Sequence, residues 1–280
     1  MLGSRKKHGG MKGRVVVITG AGSGMGRELA IQFAREGSPV AITDVDRDGL
    51  ATTAEMIEGE VLVRELDVRD RSAFLAFAVE VDEWTEAPVG CVINNAGVTV
   101  IQSFSDASPE DDEWVMDVNY TGVVNGCHAF LPIMRRQGSG TIANTSSVFG
   151  LIGYPHQTAY CASKHAVRGF TEALRHELRG TGVRVASIHP GGVRTAIISN
   201  ARFHEDDAGN REHDDAVARF QSVALTTPEK AATIIRTGIE KGRSRIRVGP
   251  DAVLFDLLVR FFPVRYYSIL DRVFLRFTRP

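Results

Sequence analysis

Residues 14–37, RVVVITGAGSGMGRELAIQFAREG, set an apolar run, a glycine-rich turn and an amphipathic run in immediate succession. A strand that is apolar throughout has no face for water, so both of its sides must be covered, as in a parallel sheet with helices on either face. The turn TGAGSGMG (19–26) then leads directly into the helical run GRELAIQFAREG (26–37). Gly20, Gly24 and Gly26 let the backbone turn tightly and approach a ligand closely. The following helix offers free N–H groups and the positive end of its dipole, a combination suited to a pyrophosphate. The turn is not a P-loop, since no Gly-Lys-Ser/Thr follows, and Arg27 stands where G-x-G-x-x-G would need its third glycine.

The same alternation continues along the chain. Strands are expected at 39–44, 60–66, 89–95, 140–147, 183–190 and 245–249, and helices at 48–57, 70–85, 110–136, 158–179 and 228–241. Such an order predicts a single-domain α/β fold, a doubly wound parallel sheet flanked by helices, over residues 13–250. Residues 1–12 read as a disordered extension with Met11 a plausible natural start. The polar stretch 200–216 is too long for a plain connector, so 196–222 is expected to form a lid. Residues 251–280 read as an apolar helical extension of the same domain, broken at Pro263. Its aromatic stripe could pack on a partner subunit, cover the substrate site or lie on a membrane surface. Charged residues interrupt it too often for a transmembrane span.

With 280 residues and a net charge of −1, the chain has neither the basic field of a nucleic-acid binder nor the acidic excess of a disordered one. Cys91, Cys127 and Cys161 are widely spaced and odd in number, as expected of reduced core thiols in the cytoplasm. Neither they nor the eight histidines have metal-ligand spacing, so no metal is expected.

Two further features carry chemistry. Asp44 closes the second strand, where a carboxylate can accept from adenosine ribose hydroxyls and repel a 2′-phosphate, or simply cap the next helix. The first role favours NAD over NADP despite nearby Arg47. In TAYCASKHAV (158–167), Tyr160 and Lys164 lie one helical turn apart on the same face. A free tyrosine, with a pKa of about 10, is a poor base at neutral pH. An adjacent ammonium, with the positive charge of an oxidised nicotinamide, is expected to lower that value and tune the phenol for proton transfer.

TGAGSGMG, LDV (66–68), NNAG (94–97), VNYTG (118–122), NTSSVFG (144–150), YCASK (160–164) and HPGGVRT (189–195) occur in order, and with them the chain resembles the short-chain dehydrogenase/reductase family. The resemblance implies a Rossmann-type NAD(P)-binding domain and an oxidoreductase acting on secondary alcohols and ketones. It implies a catalytic tetrad of Asn119, Ser147, Tyr160 and Lys164. Ser147 is chosen over Ser146 because it stands thirteen residues before Tyr160 and directly precedes VFG. In that reading Ser147 holds the substrate oxygen, Lys164 also binds the nicotinamide ribose, and Asn119 holds a water in a proton relay. Implied cofactor contacts are Gly20, Ser23, Gly24, Met25, Gly26, Asp44, Asp67, Val68, Asn94, Ala96, Gly97, Pro190, Gly191, Val193 and Thr195, besides Tyr160 and Lys164.

The segment 149–157, the lid and the chain end are expected to build the substrate pocket. Leu151, Ile152, Tyr154, Ile197, Ile198, Phe203 and Phe220 are its apolar candidates, suggesting a lipophilic alcohol or carbonyl compound, steroid-like, terpenoid or long-chain. His156 could orient a polar group or be an ordinary satisfied loop histidine. A homodimer or homotetramer is the family default. The alternative to an active enzyme is a catalytically silent dinucleotide-binding scaffold.

Overall fold

The computed structural model describes residues 10–203 and 224–270, with five single positions from 214 to 222 and residue 272. Strands β1 (Val15–Thr19), β2 (Val40–Asp44), β3 (Val61–Glu65), β4 (Val89–Asn94), β6 (Gly140–Thr145), β7 (Val183–Pro190) and β9 (Arg245–Val248) form one sheet. Its order is β3-β2-β1-β4-β6-β7-β9 and every pairing in it is parallel. A separate pair joins β5 (Val100–Ile101) to β8 (Arg202–Phe203).

Strand alternation divides the core between the two faces. Val16, Ile18, Ile42, Cys91, Ile93 and Ile188 meet α1 (Gly24–Arg35) and α7 (Pro228–Glu240) on one side. Val15, Val17, Val92, Ile142 and Val185 meet α3 (Arg71–Trp84), α5 (Gly122–Gln137) and α6 (Thr158–Glu177) on the other. Because every strand runs the same way, the turns after β1, β4, β6 and β7 gather at one edge. The order reverses between β1 and β4, where such sheets open a crevice for ligands.

Three boundaries differ from the sequence reading. The fold starts earlier than residue 13: Met11 is buried in the first core layer, and its carbonyl accepts from Ser38 Oγ. The long helix expected at 110–136 is α4 (Pro109–Met116) and α5 joined by one π-helical turn, Asp117–Thr121. Strand β3, expected at 60–66, is Val61–Glu65 at the sheet edge, and its last three residues are exposed. Residues 1–9 lie outside the described residues.

The C-terminal extension packs on its own subunit. α8 (Pro250–Phe261) and α9 (Tyr266–Leu270) flank Pro263, and Phe255, Leu258, Val259, Tyr266 and Leu270 enclose Leu151 and Ile152. Asp256 is buried midway along α8 and pairs with Arg245, Arg247 and Arg260 at 3.3, 3.2 and 3.2 Å. The opposite side of α8 leaves Leu254, Leu257 and Phe261 exposed. Phe274 and Phe277 lie outside the described residues. No helix among the described residues is long and apolar enough to cross a membrane.

Candidate active site

The glycine turn forms a cradle shaped by backbone packing. Gly20 and Gly24 have φ of 67° and 53°, in the left-handed region. A Cβ on Gly20 would stand 2.7 Å from Ala96 Cα, and one on Gly26 would collide with the Gly20 carbonyl oxygen. Thr195 closes the far side, its Cγ2 lying 3.2 Å from where a Gly24 Cβ would be. The Ser23 side chain makes no cap bond to α1. Asp44 accepts from the Gly22 N–H at 2.8 Å and the Asp46 N–H at 3.1 Å, which holds its carboxylate against the turn. A glycine-walled turn, a helix N-terminus and a fixed carboxylate fit the diphosphate and ribose of a dinucleotide.

The loop after β4 is tied to this turn by residues the motif reading passed over. Thr19 Oγ1 accepts from the Asn95 and Ala96 N–H groups at 2.9 and 3.0 Å, and Asn95 Nδ2 donates to the Thr19 carbonyl at 3.0 Å. Asn94, expected among the cofactor contacts, turns its side chain inward. Its Nδ2 donates to Asn144 Oδ1 at 2.8 Å, and Asn144 donates to Thr171 at 3.0 Å. Asn94 shares a strand face with Val92, which packs toward α5, and that parity was readable from the sequence. Asp67 gives both carboxylate oxygens to Arg69, the closest approach being 2.6 Å, and Val68 is buried against Gly122. Arg69 holds the Asp67 carboxyl below its ordinary value.

The four tetrad candidates converge where β4, β6 and α6 meet. Ser147 follows β6, its Oγ accepts from the Phe149 N–H at 3.1 Å, and its hydroxyl is near enough to the Tyr160 phenol to favour the phenolate. Lys164 lies on the buried stripe of α6, with Nζ 5.4 Å from the Tyr160 ring centroid and donating to the Thr145 carbonyl at 3.2 Å. Asn119 sits inside the π turn with both ends of its amide bonded. Nδ2 donates to the Val98 carbonyl and to Ser163 Oγ, each at 3.0 Å, and Oδ1 accepts from the Val98 N–H at 2.9 Å. Gly97 fits between them, since a Cβ there would be 3.1 Å from Asn119 Oδ1 and 3.2 Å from Lys164 Nζ. Ser146 faces away and donates to the Lys164 carbonyl at 2.8 Å, which anchors α6.

Burial dominates the electrostatics at this end of the site. The Tyr160 phenol is pushed up to about 12 by burial, against a smaller lowering from Ser147. Lys164 is pulled down to about 8, also by burial. The expected lowering of the phenol by the ammonium and an oxidised nicotinamide concerns the cofactor-bound state.

Behind Ser147, fully buried His189 places Nδ1 3.2 Å from the Ser147 carbonyl and Nε2 2.9 Å from Ser187 Oγ. Burial pulls His189 down to about 4. The unfolded chain protonates near pH 6.5, so between 6.5 and 4 it binds more protons than the native state, and stability falls as pH falls. That window should cost on the order of 3 kcal/mol. Urea unfolding from pH 7 to 4.5 should show a flatter profile for His189→Gln, and equal slopes would remove His189 as the cause.

The segment after β7 is clasped from the C-terminal extension. The Gly191 N–H donates to the Val248 carbonyl at 2.9 Å, and the Gly192 N–H donates to Asp251 Oδ2 at 2.6 Å. Asp251, the second residue of α8, was absent from the sequence candidates. Pro190 and Val193 are buried in this segment. Toward the substrate side, Phe149 stacks on Tyr154 at 4.9 Å and meets the Tyr160 ring edge-on at 6.1 Å. Leu151 does not line an open pocket: it is 4% exposed and packed under the extension. Ile197 and Ile198 are half-buried beside Thr195. Phe220 and residues 204–213 of the expected lid lie outside the described residues. Arg202, at the near end of the lid, bonds Asp111 at 2.6 Å and covers the Trp114 ring at 3.9 Å.

His156 is the one non-glycine with positive φ among the described residues, at 58°. Its carbonyl accepts from the Gln102 N–H at 3.2 Å, so the two residues are neighbours. His156 Nδ1 and Gln102 Oε1 are both buried without a partner among the described residues. Cys91, Cys127 and Cys161 are free and buried, the first two thiols pushed up to about 12.

Comparison with known proteins decides what this arrangement belongs to. The family model for short chain dehydrogenases matches residues 14–206. The chain belongs to the short-chain dehydrogenase/reductase family. The chain is 42% identical over 266 residues to a protein of Mycobacterium tuberculosis named "Putative oxidoreductase SadH", covering 92% of this chain and 94% of that one. It is 35% identical over 205 residues to levodione reductase of Leifsonia aquatica, covering 71% and 76%. Among solved structures, a family member from Burkholderia phymatum in complex with NAD superposes with a TM-score of 0.81 at 32% identity, covering 90% and 94%. The dehydrogenase is therefore an NAD(P)-binding oxidoreductase acting on CH–OH groups.

Proposed function

We propose that this protein interconverts a secondary alcohol and its ketone on a lipophilic, oxygenated substrate, with NAD as the preferred cofactor. The observation that carries the reading is the convergence of Ser147, Tyr160 and buried Lys164 at the reaction end of the glycine cradle. Bound nicotinamide supplies or accepts the hydride. Ser147 holds the substrate oxygen against the phenol and stabilises charge developing on it. The high pKa keeps Tyr160 protonated at neutral pH, which suits it to donate a proton to a carbonyl oxygen. Lys164, near 8, remains largely charged at pH 7, and its attraction to the ring steadies the phenol. Asn119 positions Lys164 by fixing Val98 and Ser163. Both Nδ2 hydrogens are committed to these bonds, and the second lone pair of Oδ1 is left to accept from a relay water.

The Phe149–Tyr154 stack supports an apolar substrate body. Gln102 and His156 support a further polar group on it, because a hydroxyl can donate to Gln102 Oε1 and accept from His156 Nδ1–H. A cofactor-linked screen over ketones and alcohols of graded size, each with and without a second hydroxyl, tests this reading. Equal kcat/KM for the paired compounds would remove the polar half of the assignment.

Cofactor preference rests on Asp44. Asp44→Ala is expected to weaken NAD binding about 10-fold and leave NADP binding unchanged or stronger, since the carboxylate bonds ribose hydroxyls and opposes a phosphate. Fluorescence titration with both reduced cofactors measures it. Tighter binding of NADPH than NADH by the unaltered protein would contradict the argument.

A further inference from the structure

The N-terminal ends of β4, β6, β7 and β9 lie at the sheet edge opposite Ser147 and Tyr160, and they border a cavity of about 910 Å³. Arg14, Arg175, Arg179, Arg184, Arg243 and His176 line it, and no aspartate or glutamate does. This concentration is local, because the whole chain carries a net charge of −1. None of the five arginines has an ion pair among the described residues. Arg14 Nη2 donates to Ser139 Oγ at 2.9 Å, yet Arg14 Nε, Arg175 Nε and Arg184 Nη1 are buried without partners, as is Thr141 Oγ1 on the same wall. Burial, with a contribution from neighbouring Arg14, pulls Arg184 below its ordinary value.

Like charges gathered around one cavity with no carboxylate among them are unfavourable unless an anion neutralises them. Forked guanidinium donors match phosphate oxygens, and the volume falls in the range of small-molecule sites. We propose that this cavity binds a small soluble molecule carrying an oligophosphate, gripped by Arg14, Arg175 and Arg184 with Arg179 and Arg243 at its rim. The concave shape favours a compact ligand over a nucleic-acid strand, which would need an extended basic track. Its place at the far edge of the sheet makes that ligand an effector or anchor, not a reactant.

Titration calorimetry of the full chain, saturated with NADH to fill the cofactor groove, with inorganic tripolyphosphate as the probe, tests this. Single-site binding is expected, weakened about 10-fold or more in Arg175→Gln/Arg184→Gln with NADH affinity unchanged. Because Arg184 is half-buried, Arg179→Gln/Arg243→Gln at the exposed rim provides a second variant, expected to weaken binding about 3-fold or more. Absence of binding to the unaltered chain, or undiminished binding in both variants, would overturn the proposal. Arginine-dependent co-sedimentation with phosphatidylglycerol vesicles and no tripolyphosphate binding would assign a membrane surface instead, and also overturn it.

Discussion

Tyr160→Phe is expected to lower kcat by roughly 10²–10⁴-fold while leaving NADH affinity within about 3-fold, the range set by loss of a general acid or base. The substitution removes one hydroxyl and keeps the ring. The edge contact to Phe149 at 6.1 Å and the position of Lys164 at 5.4 Å therefore persist, and the cradle around Gly20 is untouched. What disappears is the proton that Tyr160 exchanges with the substrate oxygen and the hydroxyl beside Ser147. Steady-state kinetics on the best ketone from the screen, with cofactor titration alongside, separates chemistry from binding. Turnover unchanged from the unaltered protein would end the assignment of Tyr160.

The second large effect is on stability. Asp256→Ala should lower unfolding free energy by about 2–4 kcal/mol, because it strips a buried carboxylate from three arginines. Arg247 and Arg260 can turn to water, at 38% and 55% side-chain exposure, whereas Arg245 at 22% is more confined. Loss of the clamp frees α8, and α8 carries Asp251, which holds the Gly192 N–H. Lower affinity for cofactor should therefore accompany the lower stability. Denaturant unfolding and NADH titration of the same variant measure the two together. A stable variant with unaltered cofactor binding would show that the apolar cluster around Leu151 and Leu270 holds the extension alone.

The parts of this site that were legible in the sequence are those whose geometry is local. Tyr160 and Lys164 face the same way because four residues make about one turn, and the Gly20–Gly26 turn follows from glycine content between strand and helix. Parallel pairing followed from strands apolar on both faces, and it holds even at edge strand β3, whose last three residues are exposed. Non-local contacts were hidden. The apolar period through 110–136 continues across the π turn, so nothing in the pattern marks the change of hydrogen bonding that sets Asn119 against Val98 and Ser163. Asp251 and Asp256 look like ordinary acids of an amphipathic tail until β7 and β9 are in place beside them. The burial that raises the Tyr160 phenol was also out of reach, since it depends on how the segments around α6 pack. Met11 and Leu151 were misplaced for a related reason: their burial is set by segments distant in sequence.

The interlocking of Gly20 with Ala96 and Gly26 has a consequence for how quickly a dinucleotide can be captured. Turn, helix start and following loop are held in register by Thr19 and Asn95 through bonds internal to the protein, so the binding surface needs no ordering when the ligand arrives. Association then loses little conformational entropy, and the interaction energy of the diphosphate goes into affinity rather than into folding a loop. The same rigidity makes the turn intolerant of any added side-chain atom at Gly26. The chain has fixed this half of the site before its first encounter with cofactor.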